Sequence, residues 1–132
     1  MTMQLIRFLM VGGCGFASDV ATFLLARHFG GGPVESRLLS ASVAVTVTWY
    51  LNRRYVFGAS TRGGIAMEYL RYLGVQAVGQ GSSLGCYFTL IFTSAYFAEH
   101  PLLALWAGGG FAVVVNYLGA RFLAFRTTAA AD

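Results

Sequence analysis

Four long apolar runs, roughly 8–29, 38–57, 70–98 and 102–125, divide the chain. A helix needs about 20 residues to cross a hydrocarbon core roughly 30 Å thick, and each run is long enough. The segments between them are rich in breakers and polar residues. Residues 30–37 (GGGPVESR) form a Gly/Pro turn, 58–69 (GASTRGGIAMEY) a longer link with an amphipathic end, and 99–101 (EHP) a tight turn. The pattern predicts an all-α membrane protein with four transmembrane helices in one domain, residues 1–126, and a disordered tail at 127–132. The first run begins near Arg7 in the manner of a signal peptide, but it continues past Asp19 to Ala26, longer than an ordinary signal core. It also has a counterpart later in the chain, so it belongs to the mature protein.

That counterpart is an internal repeat. RFLMVGGCGFAS from Arg7 matches RYLGVQAVGQGS from Arg71 at an offset of 64, and NRRYVF from Asn52 matches ARFLAF from Ala120 at an offset of 68. Arg7 thereby pairs with Arg71, Gly15 with Gly79, Ser18 with Ser82, Arg53 with Arg121, and Phe57 with Phe125. Repeat 1 covers about 5–57 and repeat 2 about 69–125, each a helical hairpin that starts and ends on the same side. Such repeats are parallel, related by an axis along the membrane normal.

Charge sets the orientation. Only 11% of residues are charged, 57% are hydrophobic, and the net charge is +4 with every basic residue an arginine. A soluble domain carries about 25% charged residues. In a four-helix topology Arg7, Arg53, Arg54, Arg62, Arg71, Arg121 and Arg126 fall on one side, and Arg27 and Arg37 on the other beside Glu35. The positive-inside rule makes the seven-arginine side cytoplasmic and puts both termini there. The arginines are spaced along hydrophobic runs rather than clustered on an amphipathic surface, which argues against nucleic acid. Cys14 and Cys86 lie inside apolar runs without metal-like spacing.

Asp19 falls about 11 residues into the first helix, roughly 16 Å deep at 1.5 Å per residue. An acid at that depth is costly unless paired or hydrated, and marks a functional site by default. Gly12, Gly15, Asp19 and Thr22 share one small or polar stripe that should face the interior. Helix 3 carries Gln76, Gln80, Ser83 and Tyr87. Helix 4 places Asn116 on one face with Gly109 and Ala112, and helix 2 carries Ser42 and Thr46 beside a stripe of Thr48 and Asn52. These polar groups either glue helices together or line a path for a hydroxyl-rich cargo, with Asp19, Gln76, Gln80, Ser83 and Asn116 as the path residues. Gly81-x-x-x-Gly85 and Gly108–Gly110 permit close helix approach, partly between protomers, because four helices enclose little volume. A homodimer is therefore expected.

Arg53, Arg54 and Arg121 lie near one interface, where Trp49, Tyr55 and Phe57 form an aromatic belt. Arginine grips phosphate through paired hydrogen bonds. Successive residues on an α-helix diverge by about 100°, so Arg53 and Arg54 should not both face one cavity. No nucleophile–base pair, metal cluster or phosphate-cradling loop is present, and no enzymatic role or cofactor is expected. His28 and His100 sit near turns.

RFLMVGGCGFASD followed by LNRRYVF, with a weaker second copy ending NYLGARFLAF, resembles the GtrA-like family of small membrane proteins over about residues 5–126. The family is associated with cell-surface polysaccharide synthesis and with moving polyprenyl-phosphate-linked monosaccharides from the cytoplasmic to the outer leaflet, where glycosyltransferases use them. The resemblance implies a multi-pass protein of the inner membrane and a flippase role. Asp19 matches the family's helix 1 acid; Asn52, Arg53 and Arg54 match the end of its helix 2. Arg121 matches the basic position of the second copy. There Ala120 replaces the family's Asn and Leu123 an aromatic, so the first half is the better phosphate contact. Two alternatives remain open: a non-transporting adaptor that recruits or stabilises a glycosyltransferase, and a small drug or cation exporter. Exporters of that kind use a membrane glutamate, and the arginine asymmetry argues against their dual insertion.

Overall fold

The computed structural model describes residues 2–60 and 63–125, all of whose regular elements are helical. They divide into two compact units at Ser60. The first unit holds α1 (Thr2–His28) and α2 (Pro33–Leu51), followed by a π-helical turn at Asn52–Val56. The second holds α3 (Gly64–Thr93), a short α4 (Ala95–Glu99), α5 (Pro101–Gly119) and a second π-helical turn at Ala120–Ala124.

The α1–α2 connection is tighter than the Gly/Pro segment predicts, because only residues 29–32 lie between the helices. Gly30 takes φ +87°, with its N–H on Arg27 O at 3.1 Å and the Gly31 N–H on Ala26 O at 2.9 Å. This is a Schellman ending, which favours glycine because the left-handed position penalises a β-carbon. Pro33 then opens α2 at its first position, where a missing N–H costs nothing, and Glu35 sits in the first turn. The third apolar run is not one helix. Ser94 is extended (φ −134°, ψ 118°) and ends α3, and His100 ends α4 because the residue before a proline disfavours the helical region.

Within each unit the two long helices pack on each other, α1 on α2 and α3 on α5. The contacts repeat position by position. Phe8 meets Phe57 edge-on with centroids 6.0 Å apart, and Tyr72 meets Phe125 at 5.6 Å. Val11 and Val75 are both buried. A β-carbon added at Gly15 would overlap the Thr48 methyl, and one added at Gly79 would overlap the Asn116 amide. Every pair obeys the offsets of 64 and 68 found in the sequence. The predicted stripes shift slightly, however. The buried face of α2 is Ser36, Ser40, Thr48 and Asn52, and that of α5 is Ala104, Gly108, Ala112 and Tyr117. Ser42 and Thr46 face outward and donate to Leu38 O and Ser42 O of their own helix, both at 2.8 Å. A β-carbon added at Gly12, Gly81 or Gly85 would meet nothing within 4 Å, so among the described residues these glycines make no close approach within their own helix pairs.

Two stretches, Thr2–His28 and Pro101–Ala124, are long and apolar enough to cross a membrane. α2 and α3 are long helices too, but Glu35, Arg37 and five serines and threonines dilute one, and Glu68, Arg71, Gln76 and Gln80 the other. Arg62, Arg126 and the predicted tail lie outside the described residues.

Candidate functional site

The LNRRYVF segment forms the first candidate site. Asn52 is buried against its own helix pair, and the Phe57 N–H reaches back five residues to Asn52 O at 2.9 Å. The π turn lodges one additional residue in the helix, so Asn52 stays buried while Phe57 still returns to Phe8. Such turns cluster at functional sites. They also wind less per residue than an α-helix. Arg53 and Arg54 both line one cavity of about 370 Å³ with Tyr50, Gly58 and Ala59, contrary to the α-helical expectation. The Arg53 guanidinium lies 5.9 Å from the centre of the Trp49 ring, and Arg54 is exposed. Two guanidinium groups around one small recess present many donors to an anionic group.

The second copy reproduces the turn but not the pair of arginines. The Phe125 N–H bonds Ala120 O at 2.9 Å, and Arg121 Nη1 donates to the Tyr117 hydroxyl at 3.4 Å. Tyr117 stands at the position of Trp49, so both arginines lean on the aromatic residue four positions earlier. Phe122 replaces Arg54, and the Arg121 guanidinium lies 5.4 Å from the centre of that ring.

Asp19 is paired. Arg37 Nη1 donates to Asp19 Oδ1 at 2.8 Å and Oδ2 at 2.6 Å. Ser40 Oγ joins them, accepting from the same Nη1 at 3.4 Å and donating to Arg37 O at 3.1 Å. Both charged groups border a cavity of about 190 Å³ with Val20, Phe23 and Leu24. Sequence spacing singled out Asp19 and missed Arg37, which the charge count treats only as an outer-side cation. The signal lies in the repeat. Asp19 aligns with Ser83 and Arg37 with Leu105, so the second copy lacks both partners together.

The remaining candidates are in the second unit. Gln76 Nε2 donates to the Tyr72 hydroxyl at 3.2 Å, while Gln80 is exposed. Ser83 lies against Gly108, whose added β-carbon would sit 2.6 Å from Ser83 O. Asn116 is half-buried against Gly79, and its Oδ1 accepts no hydrogen bond among the described residues. A cavity of about 780 Å³ lies beside Val75, Val78, Val115, Leu118 and Phe122, with Arg71 on its wall. It contains none of the sequence-predicted site residues. Among the described residues no group of three or more His, Cys, Asp or Glu could hold a metal ion.

Large apolar side chains such as Phe16, Phe29, Phe92 and Trp106 are exposed, whereas many of the buried positions at the helix contacts are serine, threonine, asparagine, glycine or alanine. Small and polar contact residues beneath an apolar exterior suit lipid as solvent, and they define a helical membrane protein. The chain belongs to the family described as GtrA/DPMS, transmembrane domain, which it matches over residues 7–125. Among curated proteins none matches it.

Proposed function

We infer that the protein is an inner-membrane flippase that carries a polyprenyl-phosphate-linked monosaccharide from the cytoplasmic to the outer leaflet, supplying cell-surface polysaccharide synthesis or modification. In this reading α1, α2, α3 and α5 with their π turns make four crossings, as two parallel hairpins with both termini cytoplasmic. The observation that carries it is the recess shared by Arg53 and Arg54 at the end of α2, in a chain of the GtrA/DPMS family. α2 and its π turn together number 24 residues, from Pro33 to Val56. That is about 36 Å at helical rise, so the recess falls at headgroup depth beyond a hydrocarbon core of roughly 30 Å.

The lipid phosphate docks on Arg53 and Arg54, with Asn52 shaping the turn and Arg121 marking the equivalent depth in the second hairpin. Asp19, Gln76, Gln80, Ser83 and Asn116 offer hydrogen bonds to the sugar, and the prenyl chain stays in lipid. Consumption of the sugar outside supplies the direction. The adaptor reading draws on a different observation: Ser18, Ser42, Thr46 and Thr48 spend their hydroxyls on their own helices. It predicts that a transferase co-purifies and that Arg53 and Arg54 are dispensable. Asp19 already holds a cation in Arg37, which disfavours the exporter. Transfer of a labelled lipid-linked sugar between leaflets of reconstituted vesicles tests the flippase reading; protein-independent transfer refutes it.

A further inference from the structure

The ion pair of Asp19 and Arg37 is not required to hold two helices of this kind together. At the corresponding level the second helix pair closes with Ser83 on Gly108, and Leu105 stands in Arg37's place. The levels of Phe8/Phe57 and Gly15/Thr48 match those of Tyr72/Phe125 and Gly79/Asn116, whereas at this level the first pair carries two charged groups that the second lacks. Charged groups within an apolar chain are expensive and mark function by default.

The geometry of the pair is one-sided. Both Asp19 oxygens and Ser40 Oγ are served by Nη1 alone. Nε and Nη2 make no hydrogen bond among the described residues. These two nitrogens form one edge of the planar fork, the edge that binds a phosphate through two parallel bonds. The Arg37 side chain is 58% accessible and that of Asp19 only 19%, so the carboxylate is the inner partner and the guanidinium presents its open edge outward. Arg37 also sits one turn into α2, at the opposite end from Arg53 and Arg54. Sixteen residues separate Arg37 from Arg53, about 24 Å along a helix, which is most of the hydrocarbon thickness.

We propose that Arg37 is a second phosphate station, on the outer side, and that Asp19 is its built-in counter-charge. This rests on the translocation reading for its direction. The lipid phosphate takes the Nε/Nη2 edge of Arg37. The carboxylate on Nη1 offsets most of the guanidinium charge, so the phosphate is held weakly and leaves. A bare arginine there would trap the product; no arginine there would leave the headgroup without a partner on arrival.

Binding of farnesyl phosphate to the detergent-solubilised full chain, read by native mass spectrometry, tests this in the Arg53→Ala/Arg54→Ala background, which removes the cytoplasmic site. Farnesol and inorganic phosphate serve as comparison ligands. Asp19→Asn should tighten farnesyl phosphate about tenfold, since a hydrogen bond to a charged group is worth about that much. Asp19→Ser/Arg37→Leu, which installs the residues of the second helix pair, should weaken it at least tenfold while unfolding at the parent's temperature. Farnesol should not bind measurably, and inorganic phosphate should compete poorly. The proposal is overturned if Asp19→Asn leaves binding unchanged or weaker, if the double variant binds as well as its parent, or if both variants unfold early, which would make the pair structural. Equal competition by inorganic phosphate would overturn the lipid assignment in favour of a soluble anion. The readout is binding rather than leaflet transfer, so a failure of the translocation reading shows separately.

Discussion

The Thr48 methyl sits where a β-carbon of Gly15 would be. The same relation holds between Asn116 and Gly79, at the matching positions of the second helix pair. A missing side chain on one helix thus receives a polar side chain of the next, one in each half. This close approach matters in a membrane, where van der Waals contact between helices replaces the hydrophobic driving force.

Gly15→Ala should therefore destabilise the protein by about 1–3 kcal/mol, the usual cost of overpacking. Thr48→Ser removes the obstructing methyl and should recover most of that loss. Thermal unfolding in detergent of the two single variants and the double variant measures the coupling. Gly12→Ala and Gly81→Ala, which meet open space, should be neutral or slightly stabilising, because alanine outranks glycine in a helix. Equal losses at Gly12 and Gly15 would contradict the packing.

The two arginines of the recess should separate by readout. Arg53 lies over Trp49, a contact worth about 0.5–1 kcal/mol at an exposed site. Arg53→Ala should lower both stability and lipid transfer. Arg54 is exposed, and Arg54→Ala should lower transfer with stability unchanged. A double variant no worse than either single would show that the recess does not act as one site.

The helical skeleton and its twofold pattern were legible in the sequence because apolar run length and the Arg-aromatic endings are local signals. Three features were not. The π turns at Asn52 and Ala120 depend on Phe57 and Phe125 reaching back to Phe8 and Tyr72, a tertiary demand that an α-helical wheel ignores. Ser94 breaks the third run although its neighbours are apolar, because the chain needs a corner there and not because composition requires it. The partner of Asp19 was invisible to spacing within one helix, since Arg37 lies across the turn. The expected face through Ser42 and Thr46 failed for a related reason: hydroxyls can satisfy themselves on their own backbone, so polarity alone does not locate a buried stripe.

Topology gives a further prediction. Four crossings with cytoplasmic termini place the turn at 29–32 outside and the 58–60 segment inside. In a variant lacking Cys14 and Cys86, a single cysteine at Gly30 should label with a membrane-impermeant reagent in whole cells. One at Ala59 should label only after the membrane is opened. The reverse pattern, or equal labelling of both, would overturn the orientation.

The most direct test of the central claim is leaflet transfer by the purified full chain in vesicles carrying a labelled polyprenyl-phosphate monosaccharide. The account predicts protein-dependent transfer, reduced at least tenfold in the Arg53→Ala/Arg54→Ala variant at equal reconstitution. Transfer at the rate of empty vesicles, or full transfer without both arginines, would contradict it.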